Sequence, residues 1–235
     1  MVSDALVLGF DTSAAHCAVA LLGGGRVLAA RAEEMGRGQA ERLLPLLEEV
    51  LAGGGASWRD LTRIGVGIGP GNFTGIRIAV SAARGLALSL GVPAIGVSGF
   101  EILHRAAARP GEMRHLIALP HRSGWYLQEL LDGQRAGAPL SWSDDDAGAA
   151  LPRLSDPAQT VVLGHGAGLI ARRLEQVQHR PVAFREAALP WPLAAGLIAS
   201  IAAGRWAVPQ ERPAPLYVRA PDAAPPRDPA PVILP

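Results

Sequence analysis

The stretch GIGPGNFTGIRIAVSAARGLALSLGVPAIGVSGFE, residues 67–101, constrains this chain more than any other. A buried strand runs into a glycine-rich turn, a helical pattern covers 73–90, and VPAIGVS returns as another strand, the grammar of an α/β layer. Glycines fit the sharp turn, Pro70 stiffens it, and Asn72 or Thr74 caps the helix. In the helix Ile76, Val80, Ala83, Ala87 and Leu90 form one apolar stripe, Ile78, Ala82 and Leu86 form a second, and only Arg77 and Arg84 interrupt the apolar surface. A surface helix needs a single apolar face. Either this helix is central to its own lobe, or its second face meets another subunit; Gly75, Ala79, Ala82 and Ala83 would let a second helix approach closely.

A glycine turn opening a helix also raises the question of phosphate binding. A phosphate-binding P-loop needs G-x-x-x-x-G-K-[ST], with lysine neutralising the phosphates. All 22 basic residues here are arginine, and the glycines at 67, 69, 71 and 75 match neither that spacing nor the dinucleotide G-x-G-x-x-G. Chemistry that depends on a lysine, a kinase strand lysine or a Schiff base, is excluded with it. The turn reads as structural, although free amides at a helix N-terminus can hold an anion weakly.

Around this unit the chain reads β-β-β-α-β-α-β. Residues 5–10, 16–22 and 26–33 are short strands joined by DTSAA and GGG, an antiparallel meander. Leu43, Leu44, Leu47 and Leu51 then recur at helical spacing, with Pro45 in the first turn or kinking the helix. ARPGEM breaks the pattern after Arg105, so residues 1–105 form one lobe and 106–208 a second. The second holds a strand pair over 114–131, a strand–glycine turn–helix at TVVLGHGAGLIARRLEQV, and a last helix at PLAAGLIASIAAGRWA. From 209 to 235 nine of 27 residues are proline, an extended and irregular tail. The order implies mixed sheets covered by helices, an α/β fold.

Twenty-one acidic residues balance the arginines to a net charge of +1, so no global field steers the chain to nucleic acid. The lone Cys17 excludes an internal disulfide framework and fits a reducing cytoplasm. No leader pattern or uninterrupted apolar run of membrane-spanning length is evident, and a soluble, unprocessed chain is expected. The histidines at 16, 104, 115, 121, 165 and 179 form no H-E-x-x-H, and His115 and His121 would chelate only by chance convergence. SDDD at 143–146 reads as a solvated loop or helix N-terminus that could attract a cation. Asp11, Thr12 and Ser13 of FDTS could position magnesium and phosphate, but are equally ordinary turn formers.

Taken together, LGFDTS, ERLLP, GIGPGNFTGIRIAVSAARGLAL, GVPAIGVSGFEIL and PLYVR resemble the TsaB (YeaZ) family, most densely over residues 5–105. The resemblance implies the two-lobed fold of the actin, Hsp70 and sugar-kinase superfamily. It implies a non-catalytic subunit that supports TsaD in attaching a threonylcarbamoyl group to the adenosine beside the anticodon of tRNAs reading ANN codons. TsaE, an ATPase, joins the assembly; ATP and metal belong to the partners, and the chain needs no cofactor of its own. Alone it would be a homodimer, meeting tRNA only through the complex and no membrane. On this resemblance Leu43, Leu44, Leu47, Phe73, Ile76, Arg77, Val80, Ala83, Arg84 and Ala87 form the partner surface, and Asp11, Thr12, Ser13, Gly69, Gly71, Asn72, Thr74 and Gly75 are a degenerate phosphate loop. Asn72, Gln39 and Pro120 stand where the family usually has serine, histidine and aspartate. Three rival readings are an ATP-dependent phosphotransferase or hydrolase of the same superfamily, a metalloprotease, and a self-sufficient structural homodimer.

Overall fold

A computed structural model describes residues 5–144, 151–189, 191–205 and 212–219. The first sheet has five strands in the order β3-β2-β1-β4-β5. β1 (Val7–Asp11), β2 (His16–Gly23) and β3 (Arg26–Glu34) are the expected antiparallel meander, while β4 (Arg63–Gly67) and β5 (Ala94–Val97) run parallel to β1. Alternation along β1 sends Leu8 and Phe10 to one face and Val7 to the other. On the first face α1 (Gln39–Gly53) and α2 (Phe73–Leu90) close a core that includes Leu8, Phe10, Leu47, Ile64 and Ile76, all essentially inaccessible. Each such side chain contributes about 1.5–3 kcal/mol of burial. α2 spans the expected residues, opened by Asn72, whose Oδ1 accepts from Gly75 N, and closed by Gly91 in the left-handed region. Pro45 lies in the body of α1 rather than in its first turn.

The second sheet has the order β11-β10-β6-β7-β8, with β9 also on β7. β6 (Arg114–His121) and β7 (Gly124–Leu131) form the expected hairpin, continued by β8 (Gln134–Arg135) and β9 (Leu140–Trp142); β10 (Thr160–Gly164) and β11 (Ala183–Glu186) extend it in parallel. α4 (Ala167–Gln178) covers one face and α3 (Gly99–Ala107) the other. Two lobes, each a mixed sheet with helices, give the α/β fold that the element order implied.

One element departs from the sequence division. α5 (Trp191–Gly204), placed with the second lobe by the boundaries at 105 and 208, packs across β1, β2 and β4 of the first sheet. The cause is local: a Cβ on Gly9 would stand 2.4 Å from Ala195 O and 2.8 Å from Ala199 N, so the glycine lets the alanine-rich helix lie directly on the strand. The chain thus leaves the first sheet, builds the second, and returns. Of the proline-rich tail, 212–219 runs across both lobes; 206–211 and 220–235 lie outside the described residues.

Candidate functional site

Between the lobes lies a cleft of about 710 Å³, lined among others by Asp11, His16, Gly69, Leu119, His121 and His165. Its first-lobe wall is the β1–β2 turn and the N-terminus of α2. There Asp11 Oδ2 accepts from Ser13 Oγ at 2.9 Å and lies 2.8 Å from His16 Nε2, while Oδ1 accepts from Ser13 N at 3.2 Å. Both Asp11 and His16 are buried. The turn is pressed onto the helix: Asn72 N donates to Ser13 O at 2.6 Å and Thr12 Oγ1 donates to Gly75 O at 2.7 Å. With Gly75 N on Asn72 Oδ1, two of the amides a phosphate would use are satisfied, and a backbone carbonyl sits where the anion would. Asp11, Thr12, Ser13, Asn72 and Gly75 are therefore brought together as the sequence grouped them, with Gly69 and Gly71 lining the cleft, but they are engaged with one another. Thr74 is exposed.

The second-lobe wall repeats the arrangement with a side chain. α4 opens after Gly166, and Glu186 from β11 receives Gly166 N at 2.9 Å and Gly168 N at 3.0 Å. A carboxylate occupies the positive end of that helix. Nearby His121 stacks on Tyr126 at 4.3 Å and meets Ser141 Oγ at 3.0 Å; burial, then the charge of Arg219, hold its imidazole below the ordinary range. His115 lies at the opposite end of β6, buried against His104 and 3.2 Å from Glu112, so it and His121 do not converge. Among the described residues no three His, Cys, Asp or Glu side chains form a metal cluster. Asp144 of SDDD pairs with Arg173 at 2.7 Å; Asp145 and Asp146 lie outside the described residues. Gln39 is buried and donates to Ala14 O at 3.2 Å, tying α1 to the β1–β2 turn, and Pro120 lines the cleft.

The helices expected to carry a partner are split between core and surface. Leu43, Leu47, Ile76, Val80 and Ala83 are buried in the first lobe's own core, which corrects their placement at a partner surface: the open sheet face needs them first. Leu44, Arg77 and Arg84 are exposed, Phe73 and Ala87 half-buried. α2 is not an internal helix, since only Gly75, Ile76, Ala79, Val80 and Ala83 of it are buried. Its second stripe, Ile78, Ala82 and Leu86, is half-buried, and Leu88 is 83% exposed. The helix is long and apolar enough to cross a membrane by length and composition, but its first stripe is fixed on the sheet.

Two groups at the lobe junction escaped the sequence reading. Glu101, buried on α3, accepts from Ser98 N and Oγ at 2.8 and 2.6 Å, pairs with Arg205 beyond α5, and meets Arg135 of β8 at 3.3 Å. Ser98-x-x-Glu101 is a capping box and was the available signal. Tyr217 stacks on Phe73 at 4.9 Å and accepts from Arg77 Nε at 2.9 Å, a long-range contact that no local pattern announces.

Residues 31–119 match the profile of the family described as TsaD: tRNA N6-adenosine threonylcarbamoyltransferase. The tRNA threonylcarbamoyladenosine biosynthesis protein TsaB of Escherichia coli is 39% identical over 119 residues, 50% of this chain and 51% of that protein. The chain thus spans about half the length of the curated relatives it matches. Two solved Pseudomonas aeruginosa structures match nearly throughout. One, described as an uncharacterized protein with similarity to peptidase YeaZ, is 33% identical with a TM-score of 0.67, covering 92% of this chain and 100% of its own. The other, YeaZ, is 33% identical with a TM-score of 0.62, covering 86% and 93%.

Proposed function

This chain belongs to the TsaB (YeaZ) family, and on that premise we propose that it is a non-catalytic subunit of the assembly that attaches a threonylcarbamoyl group to the adenosine beside the anticodon of tRNAs reading ANN codons. It acts by docking TsaD through the outer faces of α1 and α2. TsaE joins the assembly, ATP and metal reside on those partners, tRNA is met through the complex, and the work is done in the cytoplasm. Alone, the chain pairs with itself through the same face.

The observation that carries this reading is α2. Its inner stripe satisfies the sheet; beyond it Ile78, Ala82 and Leu86 are only partly buried against that core, and Leu88 stands 83% exposed. An apolar helix face of that kind is a protein-interaction surface. Against the phosphotransferase alternative stand the two helix N-termini of the cleft, each capped by the chain's own oxygens.

The test is reconstitution of the modification with cognate TsaD, TsaE, the enzyme that makes threonylcarbamoyl-adenylate, ATP and tRNA, with and without this chain, reading modified adenosine by mass spectrometry. Leu88→Glu, at a site too exposed to disturb folding, is expected to weaken association with TsaD by about thirtyfold, roughly 2 kcal/mol, and to lower product in parallel. Product that forms equally well without the chain sinks the proposal; ATP turnover by the isolated chain transfers the case to the phosphotransferase.

A further inference from the structure

Resting on that docking reading, we propose that the segment 212–219 completes the docking surface, and that the partner meets it with carboxylates placed for Arg77 and Arg84. The segment is anchored on both lobes. Leu216 N donates to Ile68 O at 2.8 Å beyond β4, and its side chain packs into the cores of both lobes. Pro213 lies over Gly96 of β5, Val218 joins the second-lobe core, and Arg219 reaches Ser123 in the β6–β7 turn. This anchoring delivers Tyr217 to the first turn of α2.

There Tyr217 orders a small platform. Its ring stacks on Phe73 with centroids 4.9 Å apart and planes at 30°, and the Arg77 guanidinium lies 3.8 Å over the Phe73 ring while Nε donates to the Tyr217 hydroxyl at 2.9 Å. An arginine side chain has much rotamer freedom to lose when it is fixed. Here much of that is already lost before any partner arrives, and neither terminal nitrogen has an acceptor among the described residues. A fixed fork with free donors is preorganised for a carboxylate.

Arg84 follows two turns on along the same face, also without an acidic partner among the described residues. The chain pairs other arginines readily: Arg42 with Glu33 and Glu49, Arg173 with Asp144, Arg185 with Glu112, Arg205 with Glu101. Other surface arginines also lack a carboxylate, but Arg77 and Arg84 carry their charges on an apolar helix face, where a partner that covers the face has to answer them.

Protein carboxylates suit this face better than RNA phosphates. Phosphate binding gains affinity from many released counterions, and two arginines on a chain of net charge +1 release few. Ser81 lies between them, and Gly85 and the exposed Leu88 follow Arg84; Ser81 and Gly85 are small enough for close helix packing. An apolar strip flanked by arginine and tyrosine has the composition of a protein interface.

The experiment measures dissociation constants for the full chain and cognate TsaD at low and high salt. Arg77→Gln and Arg84→Gln are each expected to weaken binding by roughly tenfold and to flatten its salt dependence. Tyr217→Phe keeps the ring but drops the hydroxyl; it should weaken binding less, and combined with Arg77→Gln should add nothing to Arg77→Gln alone, because it acts through Arg77. Melting temperatures confirm that each variant folds. If the native chain does not bind TsaD at all, the docking reading falls and this inference with it. If the native chain binds and Leu88→Glu breaks the complex, but the arginine variants keep native affinity and salt slope, this inference alone is overturned. The same holds if they keep TsaD and lose tRNA in a filter-binding assay.

Discussion

Replacing Glu101 with glutamine should loosen the junction of the two lobes. The carboxylate is 7% exposed and receives Ser98 N, Ser98 Oγ, Arg205 and Arg135, while Arg205 also donates to Gly96 O at 3.0 Å. Strand β5, helix α3, the end of α5 and the second sheet therefore meet at one charge. Removing one partner of a buried ion pair costs about 3–5 kcal/mol. Because the arginine side chains keep 28% and 41% of their surface, water recovers part of their charge, and the expected loss is about 2–3 kcal/mol. For a chain of this size that is a fall in melting temperature of roughly 5–10 °C. Burial alone would push the Glu101 carboxyl up; the Arg205 charge and the Ser98 hydrogen bonds outweigh it and hold it below the ordinary range. A depressed folded-state value means stability that is present above the unfolded carboxylate value, about 4.3, and lost as pH falls through the folded one. The gap between native and Glu101→Gln melting temperatures should accordingly be full at neutral pH and close in acid, by scanning calorimetry. An equal gap at pH values on both sides of that range, or none at neutral pH, refutes the reasoning.

Gly75→Ala would set a Cβ 1.9 Å from Thr12 O, forcing the β1–β2 turn off α2 at about 1–3 kcal/mol of overpacking; a melting temperature equal to that of the native chain would show that the turn is not seated as described. Glu186→Ala removes the carboxylate from the amides of Gly166 and Gly168, costing about 1 kcal/mol as a lost cap, and the variant should gain more melting temperature from added sulfate than the native chain does; equal gains mean that Glu186 was not filling an anion seat.

How far the sequence led depends on what each signal reports. Strict periodicity and strong breakers located α2 from Phe73 to Leu90, because Asn72 and Gly91 stop a helix by local chemistry alone. Periodicity does not say what a stripe packs against. It left open whether α2 is internal or meets a subunit; the resemblance then placed Ile76, Val80 and Ala83 at a partner surface although the sheet consumes them, and the chain order left α5 with its sequence neighbours although Gly9 in β1 opens the first sheet to it. Leu43 and Leu44, adjacent in sequence, end on opposite sides of that distinction, one buried and one 50% exposed. The resemblance set Asp11 to Ser13 beside Asn72 and Gly75, which do lie together, but whether Ser13 O faces a ligand or Asn72 N is a matter of a few ångströms of turn geometry.

The two capped helix ends differ in a way that bears on what the cleft can become. At α2 the blocking atom is the Ser13 carbonyl, part of a backbone held by Thr12 and Gly75, so no single side-chain change removes it. At α4 it is the Glu186 side chain, which one substitution deletes. A phosphate chain bridging the lobes needs both ends, since each supplies only a few amides and the chain offers no lysine between them. Opening α4 alone should therefore yield a weak seat for a free anion and not a site for a nucleoside triphosphate with turnover. The same turn that fills the anion seat also fixes the first turn of the helix that carries Phe73 and Arg77, on which Tyr217 is packed.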